Sequence, residues 1–145
     1  MCIRDRAKCL GSEITTNKDG LSEIGFYKIE PTENAKNLFN SQKIFFQFHS
    51  EGFSLPTGCE LLARGDIFNN QAFKYQNCYA LQFHPEVNFK LHMRWLYLVL
   101  LKNPKKLFVK GAQNIFVQLY YRYKYNKNIS NWLDTFLDQY FLKKT

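Results

Sequence analysis

The stretch that decides the fold is residues 78–87, which read Cys-Tyr-Ala-Leu-Gln-Phe-His-Pro-Glu-Val. Its first six residues are apolar at nearly every position, a pattern typical of a strand buried on both faces. The tripeptide His-Pro-Glu follows this strand directly. Open α/β sheets place their functional sites at the carboxyl ends of strands. The stretch therefore predicts a sheet of this kind with a site at the end of strand 78–83.

His84 and Glu86 are the candidate site residues in this stretch. Residues two apart in an extended chain face the same way, and Pro85 favours an extended His84. A carboxylate beside an imidazole orients the ring, selects its tautomer and stabilises its charged form. The pair predicts a base with its orienting group, although a lone histidine near a carboxylate is more often structural.

The sequence changes its pattern near residue 88. Before it, short β-rich runs alternate with turn signals, and they predict strands at 24–29, 43–48, 60–64 and 72–76. After it, apolar residues recur three and four apart, which predicts three helices. The pattern as a whole predicts an α/β domain followed by C-terminal helices.

The three helices are predicted from their apolar faces. The first carries Phe89, Met93, Leu96 and Leu100 and ends at Asn103-Pro104; the second carries Ile115, Phe116, Leu119, Tyr120 and Tyr123; the third carries Trp132, Leu133, Phe136, Leu137, Tyr140 and Phe141. Ser130 or Asn131 is the expected N-cap of the third helix. We expect His92, on the first helix, to be an ordinary surface or interface residue.

Composition excludes several classes of protein. The chain has 145 residues, 46% of them hydrophobic, which is too apolar for a disordered tail. The longest apolar run, 96–101, is too short to cross a bilayer, and the first residues lack the apolar stretch of a secretory signal, so we expect a cytoplasmic protein. The four cysteines form no C-x-x-C pair and no metal-ligand spacing with a histidine. Free thiols are expected.

The positive charge is concentrated in the C-terminal part. Residues 1–86 hold 9 Lys or Arg and 10 Asp or Glu. Residues 87–145 hold 11 Lys or Arg and only two acidic residues, Asp134 and Asp138. A basic segment of this kind suits nucleic acid or an acidic partner, and equally a solvated surface.

Four segments carry a further pattern, in order along the chain. They are E-I-G-F-Y at 23–27, F-H-S-E-G-F-S-L-P at 48–56, G-C-E-L-L-A at 58–63 and Q-F-H-P-E-V at 82–87. By these segments the chain resembles the class I glutamine amidotransferases, particularly stand-alone proteins similar to the glutaminase domain of GMP synthase. The family's versions are E-I-G-W-Y, W-H-x-D-x-F-x-L-P, G-A-E-L-L-A and Q-F-H-P-E-V. The resemblance covers residues 7–145 and implies the C-terminal part of a doubly wound, flavodoxin-like domain.

The resemblance also implies a Cys-His-Glu triad. His84 is then the imidazole that activates the thiol and protonates the departing ammonia, and Glu86 is the carboxylate that orients it. The substrate would be glutamine or a γ-glutamyl compound, with no cofactor or metal. In the family an acidic residue often stands two positions after the histidine matched by His49, where this chain has Glu51. A substrate gate and a structural hydrogen bond are both open for His49.

The family's nucleophile lies in a G-x-C-x-G-x-Q elbow ahead of all these motifs. The segment 7–13, Ala-Lys-Cys-Leu-Gly-Ser-Glu, echoes this elbow at Cys9 and Gly11. Eight residues are too few for a strand before Cys9, and Cys9 lies 14 residues before Glu23, against about 23 in the family. The segment fits better as the end of the following helix, capped by Gly11.

If residues 7–13 are the end of the helix that follows the elbow, the nucleophile falls just before residue 1. We then expect a chain truncated by about 80 residues, a length that completes one α/β domain. Residues 1–6 would be a non-native lead, 7–103 the C-terminal part of the amidotransferase domain, and 104–145 a helical extension packed on the same domain.

Three functions follow from these patterns. The first is a glutaminase domain that passes ammonia to a separate synthetase chain, although this chain alone would be inactive. The second is a γ-glutamyl peptide hydrolase that uses the same triad. The third is a non-catalytic protein whose basic segment 120–125, Tyr-Tyr-Arg-Tyr-Lys-Tyr, binds single-stranded nucleic acid. The third is disfavoured, because Tyr120 and Tyr123 are expected in a core stripe.

Overall fold

The structure is a computed structural model that describes residues 3–142. Residues 1–2 and 143–145 lie outside the described residues, and with them the ends of the predicted lead and of the predicted helical extension. The elements, in chain order, are α1 (Ile3–Cys9), β1 (Ile14–Thr16), β2 (Glu23–Lys28), β3 (Glu30–Pro31), 3-10 helices at Glu33–Ala35 and Asn37–Phe39, β4 (Ile44–His49), β5 (Glu51–Phe53), β6 (Glu60–Arg64), β7 (Ala72–Tyr75), β8 (Cys78–Leu81), α2 (Phe89–Lys102), a 3-10 helix at Pro104–Phe108, and α3 (Ile115–Tyr140).

The strands form three antiparallel groups. They are β1 with β5, β2 with β4, and a four-stranded sheet in the order β3-β6-β7-β8. Beyond β8, the backbone N–H of His84 donates to the carbonyl of Phe46, at 2.8 Å. This bond places the end of the β8 segment beside β4. The α/β fold class, with helices at the C-terminal end, is confirmed.

The strand before His84 differs from its prediction. It ends at Leu81 rather than at Phe83, and Cys78, Tyr79 and Leu81 are only partly buried. The physical reason is its position, since β8 is the last strand of its sheet and pairs within that sheet with β7 alone. An edge strand keeps part of its surface open, even when its side chains are apolar.

An aromatic core joins the sheets to the C-terminal helix. The rings of Phe45 and Phe83 stack with centroids 4.2 Å apart, and Trp132 of α3 packs edge-on against Phe45. The indole N–H of Trp132 donates to the carbonyl of Leu38 at 2.8 Å. Such aromatic pairs add to the apolar area that they bury. α3 is thus fixed on the same core that carries the segment 82–84.

Helix α2 confirms its predicted bounds but not its predicted face. The side chain of Asn88 caps it by accepting from the N–H of Leu91. Its buried residues are His92 and Leu96, whereas Phe89 and Leu100 are about half exposed. His92 was predicted to be a surface or interface residue, and the surface position is wrong, because its side chain is buried against Gln118 and Arg122 of α3. The helix is apolar nearly all round, so periodicity alone did not select the face that packs.

A single helix, α3, replaces the two helices predicted after residue 114. It begins after Asn114, whose side chain accepts from the N–H of Phe116, and Ser130 and Asn131 lie inside it. No proline or glycine interrupts 115–140. Polar residues in a helix interior each cost less than about 1 kcal/mol, which packing of Ile129 and Trp132 offsets. Among the described helices, none is both long and apolar enough to cross a membrane.

Candidate active site

A cavity of about 450 Å³ opens where the β8 segment reaches β4. His84, Pro85 and Glu86 form part of its wall, as sequence analysis predicted for a site at this strand end. The other lining residues are Ile3, Arg4, Phe48, His49, Leu81, Gln82, Phe83 and Trp95.

His84 and Glu86 contact each other in this wall. Nδ1 of His84 lies 2.8 Å from Oε1 of Glu86, and the two side chains are 31% and 55% exposed. The chain bends at Gln82 and Phe83 and turns at Pro85 and Glu86, so the two side chains meet across a turn rather than along the extended chain that the sequence predicted. Nδ1 is then held by the carboxylate. Within residues 3–142, Nε2 has no hydrogen-bond partner, so it is available to a reacting group.

The electrostatics of the pair keep Glu86 ionised. Burial opposes the charge, but the hydrogen bond from His84 and its positive charge together outweigh burial and lower the pKa of Glu86 below its usual value. An ionised carboxylate stabilises an imidazolium beside it. The arrangement suits a histidine that takes up and returns a proton.

Trp95 of α2 supports the histidine from the other side. Its ring stands nearly perpendicular to the imidazole, with centroids 5.2 Å apart. α2 therefore helps to set the position of His84, a contact that the helical periodicity did not indicate. The packing of His92 and Leu96 fixes the face on which Trp95 lies.

A second histidine, His49, lies in the same wall within a buried polar network. Glu23 and His49 are cross-strand partners in β2 and β4. Oε2 of Glu23 lies 3.0 Å from Nε2 of His49 and accepts from the side-chain amide of Gln71 at 2.8 Å. The amide of Gln47 donates to Gln71 at 2.8 Å. A buried carboxylate thus has two polar partners, one on β4 and one just before β7.

The other nitrogen of His49 connects the network to the candidate site. Nδ1 lies 3.1 Å from the carbonyl of Glu51, which also accepts from the side chain of Gln82 at 2.8 Å. Gln82 precedes Phe83 and His84. The contacts of His49 favour a structural role over a substrate gate, since both ring nitrogens lie within hydrogen-bond distance of protein groups.

A neighbouring cavity of about 350 Å³ shares Arg4, Phe48 and His49 with the first. Arg4 and Glu51 form an ion pair at this shared wall. Lys106, from the 3-10 helix Pro104–Phe108, lines the second cavity. Sequence analysis assigned Arg4 to the expected non-native lead, and it did not single out Lys106, whose position depends on contacts between distant segments.

Cys9 lies away from the candidate site. It ends α1, it is exposed, and Gly11 beyond it has a φ of 86°, as expected for a helix end. None of the described cysteines lines the cavity of His84. Cys9 and Cys78 instead border an apolar cleft with Phe73. In Cys59, burial and the charge of Cys78 raise the pKa of the thiol above its usual value.

Comparison with solved structures identifies the fold. A glutamine amidotransferase from Thermotoga maritima superposes with a TM-score of 0.81 over 95% of this chain, at 26% identity. The fold is that of the glutamine amidotransferases. A glutamine amidotransferase from Methylobacillus flagellatus matches 91% of the chain with a TM-score of 0.68, at 21% identity. A protein from Thermoplasma acidophilum, described as a putative GMP synthase subunit, matches 59% of the chain with a TM-score of 0.50, at 26% identity.

The chain spans 59%, 57% and 46% of the lengths of these three amidotransferase structures. No family model and no curated protein matches the sequence. The resemblance suggested by the four sequence motifs is confirmed at the level of fold.

Proposed function

We propose that the chain provides the histidine and the carboxylate of a class I glutamine amidotransferase. The observation that carries the proposal is the 2.8 Å contact between His84 and Glu86 in the wall of a cavity. The amidotransferase fold supports the assignment of a reaction to this pair. Glutamine is the substrate in this proposal, and glutamate and ammonia are the products.

The reaction needs a thiol within hydrogen-bond reach of the imidazole. In the proposed sequence of steps, Nε2 of His84 takes the thiol proton and the thiolate attacks the side-chain amide carbon of glutamine. The C–N bond breaks, the imidazolium returns the proton to the departing ammonia, and a thioester remains. Water, deprotonated by His84, then releases glutamate and the free thiol.

The thiol in this proposal belongs to a segment that precedes residue 1. The absence of Cys9 from the lining of the His84 cavity supports this, as does the position of Cys9 at the end of α1. Ammonia then passes to a separate synthetase chain. The likeness to the protein described as a GMP synthase subunit supports such a partner.

The test is a glutamate-release assay on three proteins. They are this chain, its Cys9→Ser variant, and a longer protein that carries the upstream segment with a G-x-C-x-G-x-Q elbow. We expect activity in the longer protein and background release in the other two. Activity in this chain that disappears in Cys9→Ser would make Cys9 the nucleophile and refute the proposed register.

The same assay separates the proposal from γ-glutamyl peptide hydrolysis, which uses the same groups. Free glutamine and a series of γ-glutamyl dipeptides are supplied to the longer protein. A higher kcat/KM for glutamine supports the amidotransferase, whereas a preference for the dipeptides assigns the hydrolase. No activity on either substrate would refute both.

A further inference from the structure

Four of the exposed aromatic side chains in the C-terminal part lie on the 3-10 helix Pro104–Phe108 and on the first half of α3, and the proposed reaction does not use them. Phe108, Phe116, Tyr120 and Tyr123 are 85%, 81%, 58% and 86% exposed. We call these four residues the aromatic face. Exposed apolar patches on a protein surface mark sites of interaction. The sequence-based expectation that Tyr120 and Tyr123 lie in a core stripe is wrong, because α3 packs through Ile129 and Trp132 instead.

The aromatic face is continuous. Phe116, Tyr120 and Tyr123 are spaced four and three residues apart, which places them along one side of α3. Phe108 and Phe116 line the same cleft of about 310 Å³. Its remaining wall includes the aliphatic side chains of Leu107, Val109 and Ile115. The face therefore combines an exposed stripe with a cleft that is mainly apolar and has the polar residue Asn114 in its wall.

Positive charge lies beside part of the face. The ammonium of Lys124 lies 5.8 Å from the ring centroid of Tyr120, and Lys105 belongs to the 3-10 helix that carries Phe108, whereas Lys106 of that helix lies over the ring of Phe48 instead. The nearest acidic residue of α3 that follows Tyr123 is Asp134, about 16 Å further along the helix axis. The ammonium of Lys110 donates to the backbone carbonyl of Asp19. The loop that carries the Asp19 carboxylate therefore lies near Lys110.

We propose that the aromatic face docks an acidic segment of another protein, which inserts an apolar side chain into the cleft between Phe108 and Phe116. Charge complementarity favours a negatively charged occupant, and the aliphatic side chains of Leu107, Val109 and Ile115 favour an apolar side chain as its anchor in the cleft. A second copy of the chain would bring two basic faces together, which is unfavourable. The aliphatic cleft walls suit an apolar side chain better than a nucleic acid base, whose edges need polar partners.

The test measures binding to three probes. The first is a synthetic amphipathic peptide with leucine and phenylalanine on one side and glutamate on the other, and the second has lysine in place of glutamate. The third is an oligothymidylate. Sedimentation velocity measures self-association of the chain. We expect the glutamate peptide to bind, to weaken as salt is added, and to bind more tightly than the other two probes.

Variants locate the site. Phe108→Ser and Phe116→Ser should each weaken peptide binding about tenfold, as for anchor residues at interfaces. Lys105→Glu and Lys124→Glu should also weaken it, whereas Phe89→Ser, an exposed aromatic outside the face, should not. Circular dichroism checks that every variant is folded.

Four outcomes would overturn the proposal. They are no binding of the glutamate peptide, equal binding of the lysine peptide, tighter binding of the oligonucleotide, and self-association that Phe116→Ser abolishes. Each of these outcomes tests the aromatic face independently of glutaminase activity, because none of the four aromatic residues lines the cavity of His84.

Discussion

The chain contains two histidine–carboxylate pairs that differ in exposure. The side chains of His49 and Glu23 are 3% and 2% exposed, whereas those of His84 and Glu86 are 31% and 55% exposed. In the buried pair, both ring nitrogens of His49 and the Glu23 carboxylate contact protein groups. In the exposed pair, Nδ1 of His84 is held and Nε2 remains available. The same two residue types thus suit a structural link in one place and proton transfer in the other.

The largest effect is expected from His84→Ala in the longer protein. Removing the base of a triad that acts as a unit lowers kcat by about a thousandfold or more. The glutamate-release assay measures this loss. Urea unfolding of the same variant tests whether the exposed pair matters for stability. The free energy of unfolding should change little, because His84 is partly exposed. Retained activity would exclude His84 from the chemistry.

The buried pair should dominate stability. Glu23→Ala leaves His49 and Gln71 without their shared partner, and breaking a buried pair costs about 3 to 5 kcal/mol of unfolding free energy. The matched variant is Glu86→Ala, which removes an exposed carboxylate and should cost less than about 1 kcal/mol. Urea unfolding measures both. Equal losses would show that exposure does not separate the two pairs.

A third histidine sharpens the comparison, because His92 is buried and its hydrogen-bond partners are Gln118 and Arg122 rather than a carboxylate. Burial and the charge of Arg122 lower the pKa of His92 to about 4, against a smaller opposing effect of Gln118. Burial also lowers the pKa of Arg122, to about 10. His92 is therefore neutral in the folded chain at neutral pH.

This neutral histidine makes stability depend on pH. Between the ordinary histidine pKa of about 6.5 and the folded value, the unfolded chain binds the proton and the folded chain does not. Stability is therefore full above about pH 6.5 and falls as the pH is lowered toward 4, by at most roughly 3 kcal/mol. His92→Gln should flatten this part of the profile in urea unfolding. An unchanged profile would mean that other groups cause the acid sensitivity.

The sequence predicted local features well and long-range features poorly. His84 and Glu86 are two residues apart, so one local turn brings them together without any knowledge of the fold. Strands such as Glu60–Arg64 were also predicted, because they are long enough to carry a pattern. The network of Glu23, His49 and Gln71 depends on residues more than 20 positions apart in the chain, which no local pattern encodes.

The same reasoning explains the errors in the helices and in short strands. β1, β3 and β5 have two or three residues each, too few for an alternating pattern. The apolar residues of the C-terminal part lie on more than one side of each helix. Tertiary packing selected the side with Ile129 and Trp132, and this left Tyr123 in solvent.

The smallest effect is expected from Glu86→Gln in the longer protein. Glutamine keeps the size of the side chain, and its carbonyl oxygen accepts from Nδ1 of His84, but it cannot balance the charge of an imidazolium. Loss of a charge interaction in an exposed pair costs about 1 kcal/mol, which corresponds to roughly fivefold to tenfold in kcat.

The readout is kcat for glutamine at pH 7, where the lowered pKa of Glu86 leaves it ionised in the unmodified protein. The stabilisation from this ionised form exists above the ordinary glutamate pKa and is lost as the pH falls through the lowered value, so a neutral assay measures its full contribution. Glu60→Gln, at an exposed site away from the cavity, is the matched control and should leave kcat unchanged. A kcat for Glu86→Gln equal to that of the control would make the contact with His84 purely structural, and the exposed pair would then be no different in kind from the buried one.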